Sequence, residues 1–196
     1  MIIHPFGPLI YKESISGDFH QFLLDAAEAS RIDPENVGYS LAGNIKDQLL
    51  LKLDPEKFVS YIYPHVFDYM NACMEHQIKH ISFDLGNGPW INYQRKNEFN
   101  PIHSHNGNLS SVIFIDIPEE IREEAKHTVQ TNMPCAGQLE FMHGNDGYNY
   151  SGTFKVVPQT AQIYLFPADL KHTVYPFTSD VERITMSFNV FNIETQ

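Results

Sequence analysis

Two histidines separated by a single residue are the feature of this sequence that points most directly to chemistry. His103 and His105 lie in the run NPIHSH, which is followed by a glycine-containing turn and the apolar run SSVIFIDI. Residues i and i+2 of a strand project from the same face, so both imidazoles can face one metal ion. A His-x-His alone is a weak motif, because it also describes two hydrogen-bonded polar residues at a strand end. The pair therefore needs support from elsewhere in the chain.

A third histidine and an arginine nearer the C-terminus provide that support. The run QIYLFP predicts a buried strand, and the turn after it brings His172 to the start of the next strand. Arg183 and Thr185 then lie on one face of an otherwise apolar strand. An inward arginine must be paired, and its guanidinium can bind a carboxylate through two hydrogen bonds while a nearby hydroxyl donates a third. A small dicarboxylate is a suitable partner, although an acidic residue of a neighbouring strand would also pair with Arg183.

The order of these features resembles the superfamily of oxygenases that use Fe(II) and 2-oxoglutarate, in particular its prolyl-hydroxylase-like branch. The likeness consists of the His-x-His, an apolar strand, the Phe-Pro that precedes His172, and an arginine two residues before a threonine. Arg183 follows His172 by 183 − 172 = 11 residues, which is the interval found in the superfamily. The run GQLEFM also resembles one of its strands. The resemblance extends over residues 90 to 189.

The resemblance implies an enzyme that hydroxylates a C–H bond with O2 while 2-oxoglutarate is decarboxylated to succinate. It implies an Fe(II) site formed by three imidazoles, those of His103, His105 and His172. The co-substrate 2-oxoglutarate would be bound by three side chains, those of Arg183, Thr185 and Tyr93. Four more residues would contact the primary substrate or line its cavity: Asn100, Ser111, His143 and Tyr164. For the substrate itself we expect a protein or peptide residue, such as proline.

The implied metal site departs from the usual pattern at one position. Most members of the superfamily bind iron with two histidines and a carboxylate, and here His105 stands where Asp or Glu is usual. The site would therefore contain three histidines, or two histidines and a water. Some thiol dioxygenases also use three histidines and need no 2-oxoglutarate. Arg183 together with Thr185 favours the class that uses 2-oxoglutarate.

Two other classes of protein remain open from the sequence. A cupin-type metalloprotein with three histidines would be a thiol dioxygenase, an isomerase or a sugar-binding module on a similar β-architecture. Cupins usually carry a glutamate soon after the His-x-His, and none occurs between Asn106 and Asp116. A non-enzymatic jelly roll used as a binding module is the other alternative, and it would bind no metal. Iron-dependent release of succinate separates the oxygenase from both.

The elements that must position these residues are two helices followed by a β-rich core. A helix is expected from Asp18, as N-cap, through FHQFLLDAAEASR, and a second begins at Asp54-Pro55-Glu56. From Ile81 onward, short apolar runs with a period near two alternate with turns, and residues 119 to 134 suggest an inserted loop or short helix. This pattern predicts one domain over residues 1 to 196. Residues 1 to 80 would form a helical support region, and residues 81 to 196 a jelly-roll core of the cupin-like, double-stranded β-helix type.

The charge and the cysteines limit the possible partners. The formal net charge is −11 and only 13 residues are Lys or Arg, so a basic surface for nucleic acid or an anionic membrane is not expected. The chain also has no apolar run of the length that a membrane span needs, and its first residues do not resemble a signal peptide. The two cysteines have no metal-binding or disulfide pattern. We therefore expect an intracellular, cytoplasmic protein.

Overall fold

The computed structural model describes residues 7 to 74, 78 to 126 and 131 to 196, and within these ranges it contains three α-helices and twelve strands. The helices are α1 (Gly17–Ile32), α2 (Pro55–Cys73) and α3 (Glu119–Lys126). The strands are β1 (Tyr11–Ser14), β2 (Asp47–Leu50), β3 (Ile81–Asp84), β4 (Trp90–Gln94), β5 (Asn100–His103), β6 (Leu109–Asp116), β7 (Leu139–Met142), β8 (Thr153–Val156), β9 (Gln162–Pro167), β10 (Lys171–Val174), β11 (Arg183–Ser187) and β12 (Asn189–Thr195).

The strands form two antiparallel sheets that face each other, as in a jelly roll. The larger sheet has the order β1-β9-β6-β11-β4-β2, and β12 joins it by pairing with β6 and β3. The smaller sheet has the order β5-β10-β7-β8. The inner faces pack together through buried aromatic and aliphatic side chains, among them Phe114, Phe141 and Phe166. The predicted fold class, mainly β with N-terminal helices, is confirmed.

The two long helices cover the outer face of the larger sheet. Buried residues repeat at helical spacing on each of them, for example Phe58, Ile62 and Val66 on α2. The prediction that Asp18 caps α1 was wrong, because Ser16 has the extended backbone of an N-cap and its hydroxyl accepts a hydrogen bond from the Phe19 amide. Asp54 caps α2 as predicted, and its carboxylate accepts hydrogen bonds from two amides of the first turn.

The predicted helical support region over residues 1 to 80 is not wholly helical. β2 was not predicted, yet β1 and β2 both belong to the larger sheet, so the first 80 residues contribute strands as well as helices. The alternating residues 1 to 12 predict an edge strand, and the apolar repeat after Asp54 predicts a helix up to residue 77. Both predictions lie partly outside the described residues. The insertion after β6 contains α3. Within the described ranges, no helix is both long and apolar enough to cross a membrane.

Candidate active site

Three histidines converge at one end of the space between the sheets. β5 and β10 pair directly at His103 and His172, while His105 follows β5 and is held by a hydrogen bond from its amide to the Ala168 carbonyl. The ring centroids are 4.3 to 5.1 Å apart. The candidate ligand atoms of all three lie within 4.8 Å of one another. Three imidazole nitrogens grouped in this way could hold one metal ion.

Backbone carbonyls set the tautomers of two of these histidines. Nδ1 of His103 donates to the Pro101 carbonyl at 2.7 Å, and Nδ1 of His172 donates to the Leu170 carbonyl at 2.9 Å. A proton on Nδ1 leaves the lone pair of Nε2 free to bind a metal, and the same hydrogen bond fixes the plane of the ring. The donor set of three oriented imidazoles therefore fits an Fe(II) ion.

The histidines are also kept neutral by their surroundings. Burial, followed by repulsion from His103, lowers the pKa of His172 to about 3. The same two causes lower the pKa of His105 to about 4, and burial lowers the pKa of His103. The rings of Phe166 and Phe141 pack against His172 and exclude water from it. Near neutral pH, protons therefore do not compete with a metal for these nitrogens.

A pH dependence of stability follows for the metal-free protein. Below about pH 6.5, histidines in the unfolded chain bind protons, whereas a buried histidine of lowered pKa does not, so the free energy of unfolding must fall on acidification. Above about pH 6.5 this destabilising effect is absent. Below about pH 6.5, each buried histidine of lowered pKa decreases the free energy of unfolding by up to about 1.4 kcal/mol per pH unit. Urea denaturation between pH 7 and 5 measures the slope. We expect His172→Asn to reduce the slope by about one proton, and equal slopes in the two proteins would contradict the burial of a neutral His172.

Arg183 lies in the same cavity without an acidic partner. Its side chain is 1% exposed, and within the described residues no carboxylate forms an ion pair with it. Nη1 donates to the Gly137 carbonyl at 2.8 Å, the guanidinium lies over the Phe114 ring, and Nε has no hydrogen-bond partner among the described residues. Burial lowers the pKa of Arg183 to about 9. A buried cation with an unpaired donor indicates a site for an anion.

Gly137 is required for this arrangement. Its φ angle is +63°, a conformation that side chains disfavour, and a Cβ at this position would lie 2.4 Å from Cγ2 of Ile121. The absence of a side chain lets the backbone approach α3 and direct its carbonyl at Arg183. The GQLEFM run identified in the sequence thus contributes both a strand of the smaller sheet and a contact to the arginine.

A chain of hydrogen-bonded side chains extends from β11 across the larger sheet. Asn92 Nδ2 donates to Thr185 Oγ1 at 3.5 Å, and Gln48 Nε2 donates to Asn92 Oδ1 at 2.9 Å. All three side chains are buried and line the cavity that contains the histidines. With this direction of donation, the Thr185 hydroxyl accepts from Asn92, and its own proton is free to bind an anion next to Arg183.

The cavity contains seven of the residues that the sequence analysis selected. Besides the three histidines, Arg183 and Thr185, they include Asn100 and Ser111. Ser111 donates its hydroxyl to the Phe188 carbonyl at 2.9 Å, which leaves it no free proton. Asn100 Oδ1 is buried and has no hydrogen-bond partner in the described part of the chain. Asn100 does not orient His103, because the Nδ1 of that histidine bonds to the Pro101 carbonyl.

Tyr93 does not reach the cavity, so its predicted contact with 2-oxoglutarate is wrong. On β4 it shares a face with Ile91 and packs in the core beneath the helices. Its hydroxyl donates to the Ala27 carbonyl at 2.6 Å and lies 2.9 Å from Ser30 Oγ. The inward face of β4 carries Asn92, which the sequence analysis did not select.

The structure also separates Tyr164 and His143 from the cavity, and both predicted substrate contacts are corrected. Tyr164 is on the inner face of the larger sheet, but its ring packs edge-on against Phe114 and its hydroxyl donates to Gln162. It belongs to the core beyond the cavity lining. His143 is exposed, and its loop passes Gly7 and lines a different surface hollow.

The cavity residues that the sequence did not predict include Gln48, Trp90, Asn92 and Gln94. Three of them alternate along β4, and this period of two was visible in the run WINYQ. Applying it consistently would have placed Asn92 and Gln94 with Trp90 and would have placed Tyr93 on the other face. Gln48 gave no such signal, because β2 covers only four residues of the run DQLLLKLD.

Comparison with known proteins gives the class of the molecule. Residues 88–189, more than half of the chain, match the model of a family described as "Putative 2OG-Fe(II) oxygenase". The chain belongs to this family of Fe(II)- and 2-oxoglutarate-dependent oxygenases, which confirms the resemblance seen in the sequence. It is therefore an oxygenase that uses Fe(II), 2-oxoglutarate and O2, and the cupin and non-enzymatic alternatives are not supported. The comparison with curated proteins gave no match.

Solved structures share the fold at low sequence identity. A prolyl-4-hydroxylase of Pseudomonas putida has 12% identity and a TM-score of 0.56, over 92% of this chain and 91% of that one. A prolyl hydroxylase of Trichoplax adhaerens, in complex with a peptide of hypoxia inducible factor, has 12% identity and a TM-score of 0.59, over 94% and 83%. HygX of Streptomyces hygroscopicus, with nickel, 2-oxoglutarate and hygromycin B bound, has 11% identity and a TM-score of 0.54, over 94% and 82%. These likenesses establish the two-sheet fold.

Proposed function

We propose that three histidines hold the Fe(II) of this oxygenase and that Arg183 and Thr185 bind the distal carboxylate of 2-oxoglutarate. The observation that carries the proposal is the buried arginine in the same cavity as the three imidazoles, because its Nε has no partner within the described ranges. A guanidinium with free donors and a hydroxyl with a free proton match a carboxylate through charge-assisted hydrogen bonds. The metal ligands are His103, His105 and His172.

The protein's part in the reaction is binding, orientation and exclusion of water. When bound, Fe(II) and 2-oxoglutarate supply the oxidising chemistry: one atom of O2 enters succinate with loss of CO2, and the other becomes the hydroxyl group on the substrate carbon. The carbonyls of Pro101 and Leu170 hold two of the imidazole planes. Apolar residues such as Phe166 and Val174 line the cavity around them and keep it dry.

A groove beside the cavity supports a peptide as the primary substrate. The groove and the cavity share Leu41, Trp90 and His105, so a chain lying in the groove passes the metal site. Among the described lining residues the only charged side chain is that of Glu35, and the others are apolar or carry amides and hydroxyls, as on Asn106. Amide side chains beside aromatic ones suit an extended backbone. The structural likeness to prolyl hydroxylases, one of them with a bound peptide, agrees with this substrate class.

Anaerobic titration followed by exposure to O2 tests the proposed function. Fe(II) and then 2-oxoglutarate are added to metal-free protein, and the weak visible charge-transfer band of the chelate is recorded. We expect a saturable band at one equivalent of each, and release of succinate after O2 is admitted that depends on the iron. Tight iron binding without 2-oxoglutarate binding would contradict the proposal. Synthetic peptide pools should raise succinate release several-fold, and no stimulation by any pool would contradict the peptide assignment.

A further inference from the structure

Two buried hydrogen-bond acceptors in the cavity have no partner. Oε1 of Gln48 and Oδ1 of Asn100 are both fully shielded from solvent, and neither accepts a hydrogen bond within the described residues. Both oxygens lie within 3.1 Å of the point where a Cβ on Gly43 would stand, so they are close neighbours. Unpaired buried acceptors cost free energy, and in a functional cavity they mark positions where a ligand supplies the donor.

The segment that contains Gly43 keeps the two amides in place. The amide of Asn44 donates to the Phe99 carbonyl at 2.8 Å, and the amide of Phe99 donates back to the Asn44 carbonyl at 3.4 Å. This bridge ties the segment to the residue before β5, the strand that carries Asn100 and His103. A side chain at Gly43 would overlap Asn100 Oδ1, at 2.2 Å. The acceptors and the metal site are therefore parts of one framework.

The orientation of the Gln48 amide follows from the binding of the co-substrate. If the Thr185 hydroxyl donates to a carboxylate, it must accept from Asn92 Nδ2. Asn92 Oδ1 must then accept from Gln48 Nε2, and Gln48, which lines the cavity, is left with its Oε1 unpaired among the described residues. Reversing the amides would consume the only proton of the threonine. The hydrogen-bonded chain thus presents an acceptor to the second substrate when the co-substrate is bound.

The chemistry of the cavity limits which groups can donate hydrogen bonds to these two acceptors. 2-Oxoglutarate offers only acceptors, so it cannot pair with the two oxygens. A cation is disfavoured, because Arg183 and the metal ion are positive and the described lining residues include no carboxylate. The remaining class is a neutral group with N–H or O–H donors, and a single hydroxyl has only one donor for the two acceptors. A primary carboxamide offers two such donors on one nitrogen, whereas the ring of a peptidyl proline offers none.

We propose that Gln48 and Asn100 select the primary substrate, and that the group they accept is a primary carboxamide, as in an asparagine side chain of the bound peptide. This inference rests on the proposed function and narrows its substrate class. It replaces the proline expected from the sequence, because a proline at this position would leave both oxygens unpaired.

An isosteric pair of probes tests the proposal on the enzyme loaded with Fe(II) and 2-oxoglutarate without O2. The probes are asparagine and leucine with N-acetyl and N-methylamide caps, so that the side chain is the only difference, and the same capped proline is a third probe. Binding is followed by the change in the visible band of the chelate and by ligand-observed NMR. We expect the asparagine probe to bind at least about tenfold more tightly than the other two. An equal response to all three, including no response to any, would overturn the proposal.

Two variants test whether the preference for the asparagine probe depends on Gln48 and Asn100. Gln48→Met and Asn100→Leu should each reduce the preference for asparagine to about threefold or less, while Gln21→Met, on the outside of α1, should leave it unchanged. The visible band of the chelate of Fe(II) and 2-oxoglutarate, without any probe, is measured for the wild type and for every variant. If the wild type showed no such band, the proposed function would be refuted, and not only the substrate assignment. Gln48→Met could also disturb 2-oxoglutarate binding, because Gln48 is hydrogen-bonded to Asn92 and through it to Thr185. Asn100 is outside this chain of hydrogen bonds, so Asn100→Leu tests the substrate preference independently. A preference that survives Asn100→Leu would overturn the assignment.

Discussion

Replacing Arg183 with methionine is expected to weaken 2-oxoglutarate binding by about 10²- to 10³-fold, since removing one partner of a buried charge pair costs about 2–5 kcal/mol. Iron binding should persist, because no described contact joins Arg183 to the three histidines. Isothermal titration of 2-oxoglutarate into the Fe(II) protein without O2 measures the affinity, and metal analysis measures the iron. Arg183→Lys should be intermediate, as it keeps the charge and loses the planar donor fork.

The stability of the same variant gives an independent check. In the unliganded protein Arg183 is a buried cation without a carboxylate partner among the described residues, so an apolar residue of similar size should not lower the free energy of unfolding. Arg95→Met is the matched control, because Arg95 is partly exposed and pairs with Asp47 and Glu182. That control should leave 2-oxoglutarate affinity unchanged. Unchanged affinity in Arg183→Met would refute the carboxylate site.

The parts of the site that could be predicted from the sequence are those in which functional residues lie close together along one strand. A strand places residues i and i+2 on one face, so the His-x-His indicated two imidazoles that face one metal ion. The same rule indicated that Arg183 and Thr185 lie on one face. Their convergence with His172 depended on the resemblance, because β5 and β10 pair across nearly 70 residues of chain. The family assignment agrees with that interpretation.

The errors have a common physical origin. Tyr93 was assigned to the co-substrate from its residue type, and the alternation along β4 that places it beneath the helices was not applied. Aromatic residues on strands usually pack in a core, and Tyr93 does so. Gln48 could not be found, since its role depends on the pairing of β2 with β4 and on the register that sets Gln48 opposite Asn92. Register is a property of the sheet, which a single short strand does not reveal.

The polar inner face of β2, β4 and β11 explains why this part of the jelly roll forms a site instead of a core. Elsewhere the facing sheets bury side chains such as Phe114 and Phe141. Here buried Gln48, Asn92 and Arg183 replace apolar residues, and the unpaired atoms among them cost stability in the unliganded protein. Proteins retain such costs at functional sites, where a ligand completes the hydrogen bonds. Saturating 2-oxoglutarate and metal should therefore stabilise the fold.

Replacing His172 with alanine is expected to abolish succinate formation and to weaken Fe(II) binding by more than about a hundredfold. Mutation of a residue that only orients a ligand costs about 10- to 100-fold in metal affinity, and a direct ligand should cost more. His172 is 5% exposed and pairs with His103 across β5 and β10, so its loss removes one ligand from the buried wall of the site. Metal analysis after dialysis and the succinate assay measure the two effects. His143→Ala, in an exposed loop outside the cavity, is the control and should change neither.

A pair of variants at His105 completes this prediction by testing whether the third imidazole is a ligand. His105→Asp supplies the carboxylate that most related sites use, and it should retain iron because an anionic oxygen compensates the charge of the metal. His105→Leu removes the donor and should lose iron to the same degree as His172→Ala. Equal iron affinity in the leucine variant and the wild type would show that His103 and His172 hold the metal without it. The packing of Trp90 against the His105 ring would then be the remaining role of that residue.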